Sequence, residues 1–354
     1  MSGLRQGSPA VTLARLAMRT RFEIVLADED DPARLRAAGE EALDEIERVE
    51  SLLSVFRDDA ELFHVNAHAA HQPMTVDVRL MEFLRRAADL CAATAGAFDP
   101  AIGALLACWK QPQPSADGSG KLPTPEAIST ALTKCGMRQR VMLDVERCSV
   151  RFSGLGVQLD PGAIGKGYAL ERATDLLRYS GISTALLHGG TSTVCAIGHP
   201  AAQPAWTVAI QDPVQADRHI ATASLVDTSL SVSAVHGRSF TANGKRYGHV
   251  IDPRSGWPVQ DNLLAAVIHP SAMTSDALST ALLVLGVEGL HSIAVRFPAA
   301  GLLLVREGTG PGTRRTDVVG SGFTTHPGGM AHGSPTDPPA QRTLLSTNGG
   351  LHAG

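Results

Sequence analysis

From about residue 140 onward the chain is written in short β-like runs broken by turns, and this pattern limits the fold more than any other. VMLDV, SVRF, VQLD, TALLH, TVCAIG, WTVAIQD and ATASLV follow one another closely. Runs this short and this near each other pair through tight connections, which calls for a mostly antiparallel sheet. Asn243-Gly244, between two strand-like runs in SFTANGKRYGHVID, is the strongest hairpin signal in the chain. Helical periodicity lies elsewhere. After a strand at about Arg21–Ala27, Asp31 and Pro32 are placed to cap and open a helix whose stripe is Leu35, Ala42, Ile46, Val49 and Leu53. A second helix starts near Asp77 and runs through Leu80, Leu84, Ala87 and Cys91 to Ala95-Gly96. A third covers about 275–286 and is followed by the strand AAGLLLVRE. Strands and helices in separate runs make this an α+β protein, with the sheet flanked by helices.

With 354 residues and a formal charge of −4, the chain can bury a large core and carries no basic footprint for nucleic acid. The five cysteines (Cys91, Cys108, Cys135, Cys148, Cys195) are odd in number and widely spaced, without CxxC. That pattern argues against a zinc site and a disulfide framework, and the reading is of buried small apolar side chains. Arg15 interrupts the apolar stretch near the N-terminus, and no run approaches the length of a membrane span. A soluble, cytoplasmic protein is expected. KQPQPSADGSGKLPTPE reads as an exposed loop, and beyond about Phe323 the composition is Gly, Pro, Ser, Thr and His without periodicity. The expected folded part is therefore 15–323, with residues 324–354 a disordered tail.

Five segments carry residue types suited to chemistry. In SDALSTALLVLG, Asp276 and Thr280 are four apart and share one helix face, with Ser279 beside them. A carboxylate and a hydroxyl near a helix start suit a hard cation that completes its shell with water and phosphate oxygens; a helix cap explains the same residues. In VQLDPGAIGKGYALERATDLL a strand ends at Asp160 and Gly165-Lys166-Gly167 opens a helix, an arrangement that favours phosphate or is an ordinary turn. TAGAFDP places Phe98 beside Asp99, fit to stack on a flat ring and accept from its N–H groups, or to be a core ring and a turn-capping acid. GHVIDPRSGWP holds His249, a natural proton acceptor, three residues before Asp252; DPRSG also reads as a plain turn. HGGTS brings Gly189-Gly190 after a strand, a weak signal of close backbone approach. GxGxxG and GxxxxGK[ST] are both missing at the places where nucleotide-binding folds use them.

Taken in order, Met18-Arg19-Thr20, DDAELFHVN ending at Asn66, TAGAFDP, LDPGAIGKGY, HGGTS, HVIDPRSGWP and SDALSTALLVLG resemble the ApbE family of flavin transferases. Each motif is weak alone; the ordered series is specific. The departures are Arg19 for the family's Gly, Ala95-Gly96 for Gly-Gly, Pro161 for a common Leu, Thr191 where an Asp often follows Gly-Gly, and LSVSA for Thr-Ser-Gly.

The resemblance implies a T-fold-related α+β architecture in two closely packed lobes. It also implies an enzyme that uses FAD as substrate and Mg2+ as cofactor, moves FMN onto a Thr or Ser hydroxyl of an acceptor flavoprotein, and releases AMP. Carried over by motif, the metal falls to the Ala163 carbonyl, Asp276 and Thr280, assisted by Ser279. The flavin falls to Met18, Asn66, Ala97, Phe98, Asp99, Asp160, Lys166, Val250 and Ile251. His249 would accept the hydroxyl proton, Lys166 support the pyrophosphate and Asp252 orient nearby groups. An FAD pyrophosphatase needs the same metal site and differs only in using water as attacker. A non-catalytic FAD-binding protein is the other alternative, against which the intact Asp276, Thr280 and Lys166 set speaks. A redox flavoenzyme fits less well, because the family consumes FAD.

Overall fold

The computed structural model describes residues 10–28, 30–110, 122–215, 217–235, 239–242, 245–310, 313–331 and 344–345. An eight-stranded sheet, antiparallel throughout, runs in the order β1 (Val11–Ala17), β2 (Thr20–Leu26), β6 (Ala185–Gly189), β7 (Thr193–Ile197), β10 (Ser229–Ala234), β13 (Asn262–His269), β14 (Gly301–Glu307) and β15 (Arg314–Val319). Three strands, β3 (Met74–Thr75), β5 (Ser149–Phe152) and β4 (Val141–Asp144), form a small sheet. A third sheet has the order β16 (Phe323–Ala331), β9 (Arg218–Leu225), β8 (Trp206–Gln211) and β17 (Leu344–Leu345). β11 (Ser239–Ala242) and β12 (Lys245–Gly248) pair as a hairpin, with Ala242 opposite Lys245; Asn243-Gly244, which signalled it, lies outside the described residues. The helices are α1 (Pro32–Leu53), α2 (Glu61–His68), α3 (Val78–Ala93), α4 (Gly103–Trp109), α5 (Pro125–Leu132), α6 (Met137–Arg140), α7 (Gly165–Tyr179), α8 (Ala272–Leu285) and α9 (Val287–Arg296).

Local chemistry explains the boundaries. Asp31 accepts from the Ala33 N–H at the start of α1, and Asp77 accepts from the Arg79 N–H at the start of α3. β1 was not expected. Its alternation puts Val11, Leu13, Arg15 and Ala17 on the side that faces α1, where Arg15 forms ion pairs with Glu40 and Asp44 of that helix. β13 and β14 are buried along most of their length, which is why they read as unbroken apolar runs. α8 lies against β10, β13 and α7, and α7 in turn packs on α1. A helix surrounded in this way is apolar on nearly every side, and its few polar residues need internal partners.

One apolar core joins the large sheet, the α1–α7–α8 layer and the three-stranded sheet, so the expected lobes share a continuous interior. A smaller cluster of Leu105, Trp109, Ile128, Ala131, Tyr247 and Ile251 ties α4 and α5 to the end of the β12 hairpin. All five cysteines are free; Cys91 and Cys195 are buried and the other three half-buried, fewer in the core than expected. Regular structure also continues past Phe323, where the sequence shows no periodicity. β16 adds to the edge of β9 by backbone pairing, which needs no apolar alternation. No described helix is long and apolar enough to cross a membrane.

Candidate active site

Asp276 is the one carboxylate of α8, 4 % exposed. Its Oδ2 accepts from the Gly167 N–H at 3.0 Å and its Oδ1 lies 3.4 Å from the Thr193 hydroxyl. The start of α7 therefore points an N–H at this carboxylate, and the helix dipole favours the negative charge. That approach requires a glycine: a Cβ on Gly167 would sit 2.3 Å from the Ala272 carbonyl oxygen and 2.7 Å from the Asp276 Cβ. Burial holds the Asp276 carboxyl above the usual range, opposed by the nearby Lys166 ammonium, the Gly167 N–H and the Thr193 hydroxyl. A buried carboxylate left with so little cationic charge is a site that gains by binding a cation.

Hydroxyl groups complete the surroundings. Ser233 Oγ lies 2.8 Å from Ser279 Oγ and 3.2 Å from Thr280 Oγ1, while Ser279 donates to the Asp276 carbonyl at 2.9 Å. Ser279 is fully buried, whereas Thr280 is partly open. Ala163 precedes the Ile164 cap of α7 and is partly open as well. Among the described residues no three His, Cys, Asp or Glu side chains cluster as a metal site. The donors on hand are one carboxylate, a hydroxyl and a carbonyl, which suits a hard cation sharing phosphate and water oxygens.

Two distant motifs meet beside this group. Asn66 of α2 donates to the Leu159 carbonyl at 2.9 Å and accepts from the Leu159 N–H at 2.8 Å, clamping the backbone just before Asp160. The Asp160 N–H donates to the Pro100 carbonyl at 2.7 Å, and Gly103 donates to Gln158 at 3.0 Å. TAGAFDP and LDPGAIGKGY thus lie side by side. Asp99, however, turns its carboxylate to the Ala101 and Met137 N–H groups, and burial raises its pKa against those bonds. Ala97 and Phe98 are core residues. Their side chains take the turn-capping and core roles, leaving backbone as what this segment can offer a ligand. Asn66→Ala should cost about 2 kcal/mol, because it strands both polar groups of Leu159. A urea midpoint that stays within error of the parent's would refute the clamp.

His249 is exposed at the end of the β12 hairpin, with Val250 partly open and Ile251 buried. Asp252 does not turn to it. Its carboxylate holds Arg254 through two nitrogens at 2.9 and 2.8 Å and accepts from the Arg254 N–H. The DPRSG turn is anchored by Trp109, whose indole N–H donates to the Gly256 carbonyl at 2.8 Å. Met18 sits in the two-residue β1–β2 turn with φ of 48°, followed by Arg19 at 60°. Both are left-handed, as a type I′ hairpin turn demands and as glycine adopts most easily. The Met18 N–H donates to Glu50 at 2.8 Å, and the Arg19 guanidinium lies 5.4 Å from the exposed Phe56 ring.

The ApbE family model matches residues 18–302. The chain belongs to the ApbE family. It is 32 % identical over 306 residues to an FAD:protein FMN transferase of Treponema pallidum, covering 82 % of this chain and 83 % of that one. A namesake from Salmonella typhimurium is 30 % identical over 271 residues, covering 73 % and 74 %. The ApbE protein of Thermotoga maritima has the same fold, with a TM-score of 0.75, 28 % identity and coverage of 87 % and 96 %. The flavinyl transferase ApbE of Pseudomonas stutzeri in its apo form aligns with a TM-score of 0.73, 27 % identity and coverage of 88 % and 94 %.

In this ApbE-family chain the fold brings Lys166, Gly167, Asp276, Ser279 and Thr280 to one place, and Asn66, Asp99 and Asp160 to another near α7. Asp252 turns its carboxylate to Arg254. Sequence reading missed Thr193, Ser233 and Phe56. Thr193 and Ser233 bear on the site through side-chain contacts with α8, 83 and 46 residues further along the chain, and no local spacing signals that. Phe56 follows α1 as a ring 64 % exposed, flanked by Arg19 and by Lys110 at 5.6 Å.

Proposed function

We propose that this protein transfers the FMN half of FAD onto a Thr or Ser hydroxyl of an acceptor flavoprotein and releases AMP. The observation that carries the reading is the buried Asp276, held by the first turn of α7 beside Lys166 and Thr280. It stands in a chain of the ApbE family, and relatives named FAD:protein FMN transferases share about a third of its residues over four-fifths of its length.

Asp276, the Thr280 hydroxyl and the Ala163 carbonyl would hold Mg2+, whose chemistry is to neutralise charge on the pyrophosphate. The residues fit that ion because all three offer oxygen and one is a buried carboxylate. Lys166 directs a positive charge to the same phosphates, and the N–H groups opening α7 favour them. Asp160, Met18, Val250 and Ile251 border the flavin. Asn66, Ala97, Phe98 and Asp99 act on it by fixing the backbone that forms the wall. His249, exposed at the end of the β12 hairpin, accepts the proton as the acceptor oxygen bonds to the FMN phosphorus and the bridging P–O bond breaks toward AMP.

The test is incubation with FAD, Mg2+ and an acceptor protein bearing the modified hydroxyl, read by mass. The expected result is the FMN mass on the acceptor and one AMP per transfer. Free FMN and AMP with an unmodified acceptor would make the enzyme a pyrophosphatase. His249→Ala should retain FAD binding and lose transfer by about 10²-fold or more. A variant with parental transfer would remove His249 from the proton step.

A further inference from the structure

The hydroxyls around Thr280 form a chain with a direction. A hydroxyl has one proton and two lone pairs, and a carbonyl can only accept. Ser279 donates its proton to the Asp276 carbonyl at 2.9 Å, so its oxygen is the acceptor for Ser233 at 2.8 Å. With the Ser233 proton committed there, the 3.2 Å contact to Thr280 is completed by the Thr280 proton. The protons then run Thr280 to Ser233 to Ser279 to the Asp276 carbonyl, and the lone pairs of Thr280 face away from Ser233. The reverse order would leave the Thr280 proton free to point at the position a cation takes, which the cation's charge opposes.

We propose that Ser233 is a positioning residue for the metal site: with Ser279 it holds the Thr280 proton inside the β10–α8 packing so that Thr280 presents lone pairs to the cation. The inference rests on the Asp276–Thr280 metal site proposed above. It also changes the part assigned to Ser279. That hydroxyl is fully buried and engaged on both sides, so it serves as a link in the chain and the direct ligand is Thr280. One turn earlier, Ser275 of α8 bonds the hydroxyls of Ser229 and Ser231 at 3.0 and 2.9 Å and locks β10 to α8, which fixes the height of Ser233 against Thr280.

Outer partners of this kind typically change metal affinity by about 10- to 100-fold. The experiment follows the EPR signal of free Mn2+ during titration of the FAD-saturated protein, with FAD alone as blank. Ser233→Ala should weaken Mn2+ binding about tenfold. Ser233→Thr, which keeps the hydroxyl, should restore most of the affinity. FAD affinity without metal, read by flavin fluorescence, should not move in either variant; a general packing defect would shift it. Parental Mn2+ affinity in Ser233→Ala overturns the inference and leaves the metal site standing. No Mn2+ binding above the blank in the parent protein overturns the metal site itself, and the inference with it. Should Ser233→Ala fail to fold, Ser279→Ala breaks the next bond and carries the same expectation; unchanged Mn2+ affinity there is equally fatal.

Discussion

Asp276→Asn is expected to raise the melting temperature of the metal-free protein at neutral pH while lowering FMN transfer by about a thousandfold. The two effects share one cause. Asn keeps the shape and both contacts, since its Oδ1 still accepts from Gly167 and its amide can donate to Thr193. What disappears is a charge buried at 4 % exposure, and burial is the largest influence on this carboxyl, ahead of Lys166. The sign follows from linkage. A folded-state pKa raised above the ordinary 3.8 gives stability that is complete below that value and lost as pH rises through the folded one. The advantage of the Asn variant should therefore shrink as pH falls toward 3.8 and grow toward neutrality. Thermal scans of metal-free parent and variant across that range decide the matter. A variant less stable than the parent at neutral pH would mean that the Lys166 attraction outweighs burial.

Gly167→Ala should damage both stability and the site. The added carbon meets the Ala272 carbonyl at 2.3 Å and the Asp276 Cβ at 2.7 Å, and neither is the flexible end of a side chain. α7 and α8 must separate, which costs about 2–3 kcal/mol as overpacking and lengthens the N–H bond to Asp276. Melting temperature, Mn2+ affinity and transfer should fall together, in contrast to Asp276→Asn, where stability and activity part. A variant with parental stability would show that the helices have more room than the close approach indicates.

Much of this was legible along the chain because it is local. Asp31-Pro32 and Asp77 announce their helices through bonds one or two residues away, and Asn243-Gly244 marks a hairpin without reference to anything beyond it. The ordered motifs made the family recognisable. β1 was hidden because Arg15 reads as an interruption, and only its acidic partners on α1, 25 and 29 residues on, show that it shares the helix-facing side of a strand with Leu13 and Ala17. The roles of Asp99 and Asp252 could not be chosen from spacing: each sits in a turn whether it serves a ligand or the backbone. The contact that decides for Asp99 is the Met137 N–H, 38 residues away. Ser233 was passed over for the same reason, since its meaning comes from a helix 46 residues later.

Those separations also govern when in the life of the chain catalysis becomes possible. Gly167 and Asp276 are 109 residues apart, and Asn66 and Leu159 are 93 apart. Each such closure must be paid for in entropy before it is rewarded, and the rewards come through long-range pairing of the sheet. A growing polypeptide displays the motifs proposed to border the flavin well before it has made α8. Until Thr280 has been synthesised and α8 has docked on α7, the site has no carboxylate to offer a cation. With the site proposed above, synthesis order would withhold FAD cleavage from chains that end before α8, and such truncation products are expected to be inert toward the dinucleotide.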